Sequence, residues 1–320
     1  MRYATILGTG SALPDRVLTN ADLEKKLDTT DEWIMQRVGI RERRIVQGTN
    51  ETTMTLALRA AQQAIEAAGI TADMLDLIVV GTATGDCLFP SVACLLQAEL
   101  GCSQACPAFD LNAACSGFVY GLDVANQYIQ AGGAKHVLVV GADALSQLVD
   151  WEDRSTCVLF GDGAGAVVLG VSDQPGILHS KIHASGKSAA HLLAKSPIWQ
   201  SAGTPIQMTM NGKEVFKLAV HKLEEIVDQT LAEAAMDQSD IDWLIPHQAN
   251  MRIIQATAKR LSLPMTQVIL TIERHGNTSA ASVPIALDYG VRSGKIKRGQ
   301  TLMLEAFGAG FTWGASIVRF

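Results

Sequence analysis

The stretch "EAAGITADMLDLIVVGTA" (66–83) is echoed by "EAAMDQSDIDWLIPHQA" (233–249), one residue shorter. After each copy come an amphipathic helical pattern ("SVACLLQAELG", 91–101; "MRIIQATAKRLSL", 251–263), an apolar strand, a turn of small residues, a second helix and a further strand. The turns are "NAACSGF" (112–118) and "RHGNTSAAS" (274–282), and the closing strands are "HVLVVGADA" (136–144) and "TLMLEAFGAG" (301–310). Units repeated over more than a hundred residues indicate two duplicated halves, because a solenoid would repeat every ~20 to 50 residues. The seam is expected near Val171, before "SDQPG", which gives halves of 1–172 and 173–320. Further buried strands are expected at "YATIL" (3–7), "AGAVVLGV" (164–171) and "GASIVRF" (314–320), with long helical patterns over 51–69 and 213–235. Strands alternating with helices define an α/β protein.

A chain of 320 residues with 48% hydrophobic content and 18% charge can bury a large core. Its net charge of -6 argues against a nucleic-acid partner held by the overall field, while leaving room for a local basic patch. The opening "MRYATILGTGSALP" lacks a long apolar signal core, and no apolar run approaches the ~18 residues of a membrane span, so a soluble cytoplasmic protein is expected. Six cysteines in so long a chain do not read as a disulfide framework. Cys102 and Cys106 lie four apart with no second Cys or His pair beside them, so no metal site is expected. Cys87, Cys94 and Cys157 read as ordinary thiols in apolar or loop contexts.

If a pseudo-twofold axis relates the halves, Cys115 and Asn277 fall on matching turns, each opening a helix, and His247 ends the strand between them in sequence. Unpaired N–H groups and the positive end of the dipole gather at a helix N-terminus. Such a location can lower a cysteine pKa from about 8.5 into the range ~3.5 to 7.5, giving a nucleophile at neutral pH, whereas a buried inert thiol is the usual fate of a lone cysteine and the motif alone does not outweigh it. His247 in "PHQAN" can project into a cleft at the carboxyl end of a sheet. His136, His179, His183, His191 and His221 sit in charged or loop contexts that read as solvated, and His275 reads equally as structural. Asn277 can donate a side-chain N–H but cannot ionise, which suits an oxyanion, although a helix cap would use the same residue. A Cys, His and Asn set also occurs in papain-like hydrolases, but their local signature around the cysteine is absent. Acyl transfer through a thioester fits the constellation better.

Together, "DLNAACSGF", "PHQAN", "HGNTSAAS" and "FGAGFTWGASIVRF" closely resemble the β-ketoacyl-acyl-carrier-protein synthase III family, and the resemblance extends through "TTDEWIMQRVGIRERR" and "DRSTCVLFGDGAGAVVLG" to essentially the whole chain. It implies a thiolase fold, two βαβαβαββ-type halves in α/β/α/β/α layers, and a homodimer. It implies Cys115 as the acyl-accepting nucleophile, with His247 and Asn277 holding the enolate oxygen formed when malonyl-acyl-carrier protein loses carbon dioxide. The backbone N–H groups of Cys115 and Ala309 would form the oxyanion hole. Many relatives have glycine at the Ala309 position, which raises the question of the local φ. Coenzyme A thioester enters as substrate, acetyl by default, and no metal or redox cofactor is implied. Trp33 and Arg154 would flank the adenine, with Arg37 near the phosphates and Asn250 near the pantetheine arm. Read from the residues alone, Trp33 is equally a core aromatic, and Arg37 with Arg41, Arg43 and Arg44 is either an anion site or a solvated face. "GTGSALP" has Leu13 in the third glycine slot of a dinucleotide loop, which rejects that reading.

Phe89 in "CLFPSVAC" resembles the phenylalanine that caps the partner's acyl pocket. Acidic carrier proteins need a positive landing site, for which Lys217, Lys222, Arg252, Lys259 and Arg260 are candidates beside the His247 strand. A thiolase would carry a second catalytic cysteine near the C-terminus, and residues 300–320 hold none. The remaining alternatives are a condensing enzyme of secondary metabolism and a non-catalytic partner subunit; retention of Cys115, His247 and Asn277 disfavours the latter.

Overall fold

A computed structural model describes residues 2–201 and 203–320. A five-stranded sheet runs in the order β1 (Tyr3–Ala12), β7 (Asp162–Ser172), β6 (His136–Ala144), β4 (Leu77–Gly81), β5 (Ala108–Leu111). A four-stranded sheet runs β8 (Ile177–Ala184), β13 (Thr312–Arg319), β12 (Thr301–Gly308), β11 (Trp243–Pro246). The second order repeats the first: two antiparallel pairings followed by a parallel one. Where β5 lies beside β4, the second sheet has a single parallel bridge, Leu244 with Val268. Two short ribbons, β2 (Val17–Thr19) with β3 (Glu42–Arg44) and β9 (Leu192–Ala194) with β10 (Met208–Met210), lie outside the sheets.

Helices α5 (Gly117–Gln130) and α9 (Ser282–Arg292) touch both sheets and form the middle layer. Their buried residues, among them Phe118, Leu122, Val283 and Leu287, share one apolar cluster with inward residues of both sheets. α3 (Thr53–Ala68) and α4 (Val92–Leu100) cover the outside of the first sheet, and α6 (Gly212–Glu233) and α7 (Met251–Arg260) that of the second. This is the expected stack of α/β/α/β/α layers. α3 shows why: Leu56, Ala57, Ala60, Ala61, Ala64 and Ile65 form one helical stripe, Thr52 caps its start, and Gly69 closes it at φ 67°. Three helices are shorter, α1 (Asn20–Glu24), α2 (Asp31–Val38) and α8 (Ile272–His275), and of these α2 brings Trp33 and Arg37 to the wall of a cavity. No helix among the described residues is long and apolar enough to cross a membrane.

The strand β8 was not expected from the sequence. "ILHSKIHA" pairs only with β13 at a sheet edge and is mostly half-buried, so it lacks the continuous apolar run of a central strand. His179 and His183 therefore sit on a strand rather than in solvated loops: His179 bonds Glu233 at 3.0 Å, and His183 bonds Gln229 at 2.9 Å beside Trp313.

Candidate active site

Between the sheets, α5 and α9 begin close together, each after a tight turn (Ala114–Ser116 and Ser279–Ala281). Asn112 Oδ1 accepts the Ala114 N–H at 3.2 Å in one turn, and Asn277 Oδ1 accepts the Ser279 N–H at 2.9 Å in the other. Ala114 and Ser279 both adopt left-handed backbone, at φ 45° and 52°. Asn277 thus matches Asn112, and the position matching Cys115 is Ala280.

Cys115, His247 and Asn277 line one cavity of about 650 Å³ with Gly308, Phe307 and an apolar wall that includes Leu159, Phe216 and Ile253. All three are buried, at 8%, 5% and 6% exposure. Asn277 is held by its backbone, which bonds Leu159 and Gly161. With Oδ1 engaged by Ser279, its amide NH₂ remains for the cavity, so capping and donation use different atoms of one side chain. His247 extends β11, its N–H bonding Glu305 O at 2.8 Å. Its Nδ1 lies 3.0 Å from Ser282 Oγ, which also accepts the Gln248 N–H at 2.6 Å. Burial holds the imidazole down at about 4, so it is neutral at pH 7.

The Cys115 thiol differs from its expected state. Burial pushes it up to about 12, a hydrogen bond from Ser279 pulls the other way, and the Asp143 charge raises it further. No side chain caps the start of α5, two residues after Cys115, but the resting group is a thiol and not a thiolate. The correction has a plain cause: a terminus contributes a partial charge, whereas removing a thiolate from water costs more.

Gly308 ends β12 against the cysteine turn, where a Cβ would meet Cys115 N at 2.7 Å. Ala309 follows outside the left-handed region, so alanine fits there without strain; it is not one of the cavity-lining residues. Thr312 Oγ1 ties this corner to Ala113 O at 2.7 Å. Glu305, two residues before Phe307 on β12, was not anticipated: burial raises its carboxyl to about 8, and Oε2 has no partner among the described residues.

At the mouth stand Trp33, Arg37, Asn250, Lys213, Lys217 and Arg252. The guanidinium groups of Arg37 and Arg154 lie 5.5 and 5.3 Å from the Trp33 ring centroid, and Arg154 also bonds Asp28. Asn250 caps α7 through Arg252 N at 2.9 Å and bonds Arg37 O at 3.2 Å. The arginine run divides. Arg43 is wholly buried on Leu18 O, Asn20 and Val158 O; Arg44 bonds Pro14 O and Asp15 O; Arg41 pairs with Glu273. Only Arg37 reaches the cavity, so the run is neither an anion cluster nor a solvated face. The basic candidates divide too. Lys259 and Arg260 lie ~10 to 12 Å along α7 from Arg252, given a rise of 1.5 Å per residue. Arg260 is committed to Asp228, and Lys222 to Glu225. Lys213 was missed, although its i,i+4 spacing from Lys217 on a helix was readable. Phe89 is 86% exposed and absent from the cavity wall of this chain.

Comparison with known proteins gives a consistent result. The family model for 3-oxoacyl-[acyl-carrier-protein] synthase III matches residues 109–186, and the model for its C-terminal part matches 231–320. The chain is similar to β-ketoacyl-[acyl-carrier-protein] synthase III of Coxiella burnetii, at 60% identity over 100% of both chains. It resembles the crystal structure of 3-oxoacyl-[acyl-carrier-protein] synthase III from Aquifex aeolicus VF5 with a TM-score of 0.93 and 47% identity, covering 99% of this chain and 100% of the other. It also resembles the priming β-ketosynthase of the R1128 polyketide biosynthetic pathway, with a TM-score of 0.94 and 37% identity over 99% of this chain and 96% of that one.

Proposed function

Since this chain belongs to the β-ketoacyl-acyl-carrier-protein synthase III family, we propose that it condenses an acyl-coenzyme A primer with malonyl-acyl-carrier protein through an acyl-Cys115 intermediate. The observation that carries the reading is the meeting of Cys115, His247 and Asn277 on one cavity whose mouth holds Trp33, Arg37 and Asn250. In this reading residues 1–172 supply the nucleophile and 173–320 the His and Asn.

The primer thioester is attacked by the Cys115 sulfur, and the developing oxyanion takes backbone N–H groups of Cys115 and Ala309, each such donor being worth ~3 to 4 kcal/mol. Coenzyme A then leaves. Malonyl-acyl-carrier protein enters, and its thioester oxygen accepts from the Asn277 amide and from His247. Ser282 Oγ accepts the Gln248 N–H, so its own hydrogen is available to Nδ1, which leaves the imidazole proton on Nε2 for that oxygen. Loss of carbon dioxide places the charge on the oxygen so held, the carbanion attacks the acyl carbon on Cys115, and the C–S bond breaks so that the sulfur leaves with its electron pair and takes up a proton to restore the thiol. The neutral imidazole can fill this role, because with Nδ1 accepting from Ser282 its Nε2–H is left as the donor. The chemistry calls for no metal or redox cofactor: the thioester activates the carbon and decarboxylation generates the nucleophile.

Adenine would slip between Trp33 and one of the two arginines now stacked on it, with Arg37 turning to phosphate. Lys213, Lys217 and Arg252 at the rim suit an acidic carrier protein. The exposure of Phe89 fits a homodimer in which this ring closes the partner's acyl cavity, and the protein would work in the cytoplasm. The likeness to a polyketide priming enzyme keeps a second reading, condensation of another primer for secondary metabolism. Incubation with a panel of acyl-coenzyme A donors followed by intact-mass measurement tests both. An acetyl adduct on Cys115 and β-ketoacyl product supports the first, an adduct only with other primers supports the second, and no adduct on Cys115 overturns both.

A further inference from the structure

One hydroxyl joins the Cys115 sulfur to a buried carboxylate that the mechanism above does not use. Ser279 Oγ donates to Cys115 Sγ at 3.4 Å, and the same side chain lies close enough to Asp143, near the end of β6, to pull its carboxyl down against the effect of burial. Asp143 is fully buried. Its Oδ1 takes Thr82 Oγ1 at 3.1 Å, the Ala83 N–H at 2.8 Å and Thr84 Oγ1 at 2.9 Å, while Oδ2 takes the Ala280 N–H at 3.2 Å. These partners are hydroxyls and backbone N–H groups rather than a cation. Oδ2, the less crowded oxygen, keeps a lone pair for Ser279.

The turn itself does not require that hydroxyl. Its counterpart carries Ala114 in the same left-handed backbone, so a methyl group satisfies the local geometry. What differs is the side chain: Ser279 brings a hydroxyl to the sulfur, and Ala114 has none to offer.

We propose that Ser279 and Asp143 relay the Cys115 proton during acyl transfer. In the resting site the Ser279 hydroxyl is directed at the sulfur; as it turns to Asp143 Oδ2 and gives up its proton there, the S–H bond breaks and the thiol proton passes to Ser279 Oγ. The sulfur electron pair forms the bond to the thioester carbonyl carbon. On collapse of the tetrahedral adduct the coenzyme A sulfur leaves with the electrons of its bond to carbon and takes a proton back along the same chain, so Asp143 ends as a carboxylate and coenzyme A as a thiol. Ser279 touches the reacting atom; Asp143 acts through it. Burial also lifts the Asp143 carboxyl above the usual range, which narrows the gap to the thiol it would serve. The other titratable groups on elements packed against the two turns are His247, neutral at pH 7, Glu305, protonated at pH 7, and Asp162, which is turned to Ser146 and Val46.

The proposal rests on Cys115 being the acyl acceptor. Rapid-quench intact-mass measurement of single-turnover acylation by acetyl-coenzyme A, in H₂O and D₂O, tests it with wild type, Ser279→Ala and Asp143→Asn. Ser279→Ala is expected to acylate about 10²-fold more slowly, the scale of general acid–base assistance, and to lose most of the solvent isotope effect. Asp143→Asn is expected to be slow as well. An unchanged rate in Ser279→Ala overturns the relay. So does faster acylation in Asp143→Asn, because a carboxylate acting only through space would, on removal, make the thiol more acidic. Failure of wild type to acylate at Cys115 would overturn the functional reading and the relay together, whereas normal wild-type acylation with an unaltered Ser279→Ala removes the relay alone.

Discussion

The turn from Asn112 to Gly117 and the turn from Asn277 to Ser282 keep the same asparagine bond and the same left-handed position, yet they exchange almost every reactive atom. Cys115 stands opposite Ala280, Ala114 opposite Ser279, and Gly117 opposite Ser282. The strands follow suit. The echo in sequence, with the parallel registers Val80 to Val140 and Pro246 to Glu305, matches Gly81 to His247 and Asp143 to Gly308. In the first half two glycines meet, and a Cβ on Gly81 would lie 2.5 Å from Gly117 C; in the second the same crossing is a His247 to Ser282 hydrogen bond of 3.0 Å. A duplicated frame therefore supplies one set of backbone positions twice, and each copy is free to specialise: one carries the sulfur, the other the donors that surround it.

Copying residues across the pseudo-twofold breaks that division in graded steps. Cys115→Ala, which gives the first turn the residue of the second, should abolish condensation while malonyl decarboxylation stays detectable by release of carbon dioxide. His247→Ala should still form the acyl adduct by mass but lower decarboxylation by about 10²- to 10³-fold, the scale for loss of one oxyanion donor. Ser282→Gly, the residue of the first turn, removes the partner of Nδ1 and leaves the Gln248 N–H unpaired. A loss of about 1–3 kcal/mol in denaturant unfolding is expected, with a fall in decarboxylation and normal acylation of Cys115.

A smaller effect separates Glu305 from Val140, its apolar counterpart. The folded Glu305 carboxyl titrates near 8 against 4.5 when unfolded, so across that range the folded protein keeps a proton the unfolded chain gives up, and stability falls as pH rises. His247, near 4 folded and 6.5 unfolded, acts in the opposite sense: the unfolded chain gains a proton that the folded one refuses, and stability falls as pH drops below 6.5. Between pH 6.5 and 8 only the Glu305 slope of this pair remains. Glu305→Gln should flatten the decline in thermal midpoint over that window, and an unaltered decline would place its origin elsewhere. Smallest of all is the rim. Arg252→Glu should raise KM for malonyl-acyl-carrier protein more than KM for the primer thioester, with a greater effect at low salt, while Lys259→Glu, farther along α7, changes it less.

Much of this was legible in the chain. The run "HVLVVGADA" became β6 residue for residue, "GFVYGLDVANQYIQ" became α5, and the echo between 66–83 and 233–249 became two sheets of one order. Cys115, His247 and Asn277 were readable because small-residue turns and strand ends announce themselves locally. Ser282, Ser279, Asp143 and Glu305 were not, since an ordinary serine or acid acquires meaning only from what the other half of the molecule places beside it. The arginine run shows the same limit: four similar residues in "RVGIRERR" have four different fates, and Arg43 is buried because Val158 O, more than a hundred residues away, accepts from it.

The sequence by itself determined the buried central strands and the long helices, the duplication and the three residues that converge on the cavity, because hydrophobic periodicity and turn chemistry act over a few residues. The tertiary structure alone decided that the sulfur rests as a thiol, that the imidazole is neutral, and which cations reach the rim. Protonation and electrostatic reach depend on burial and on partners brought together from distant parts of the chain, and no local pattern of residue types encodes them.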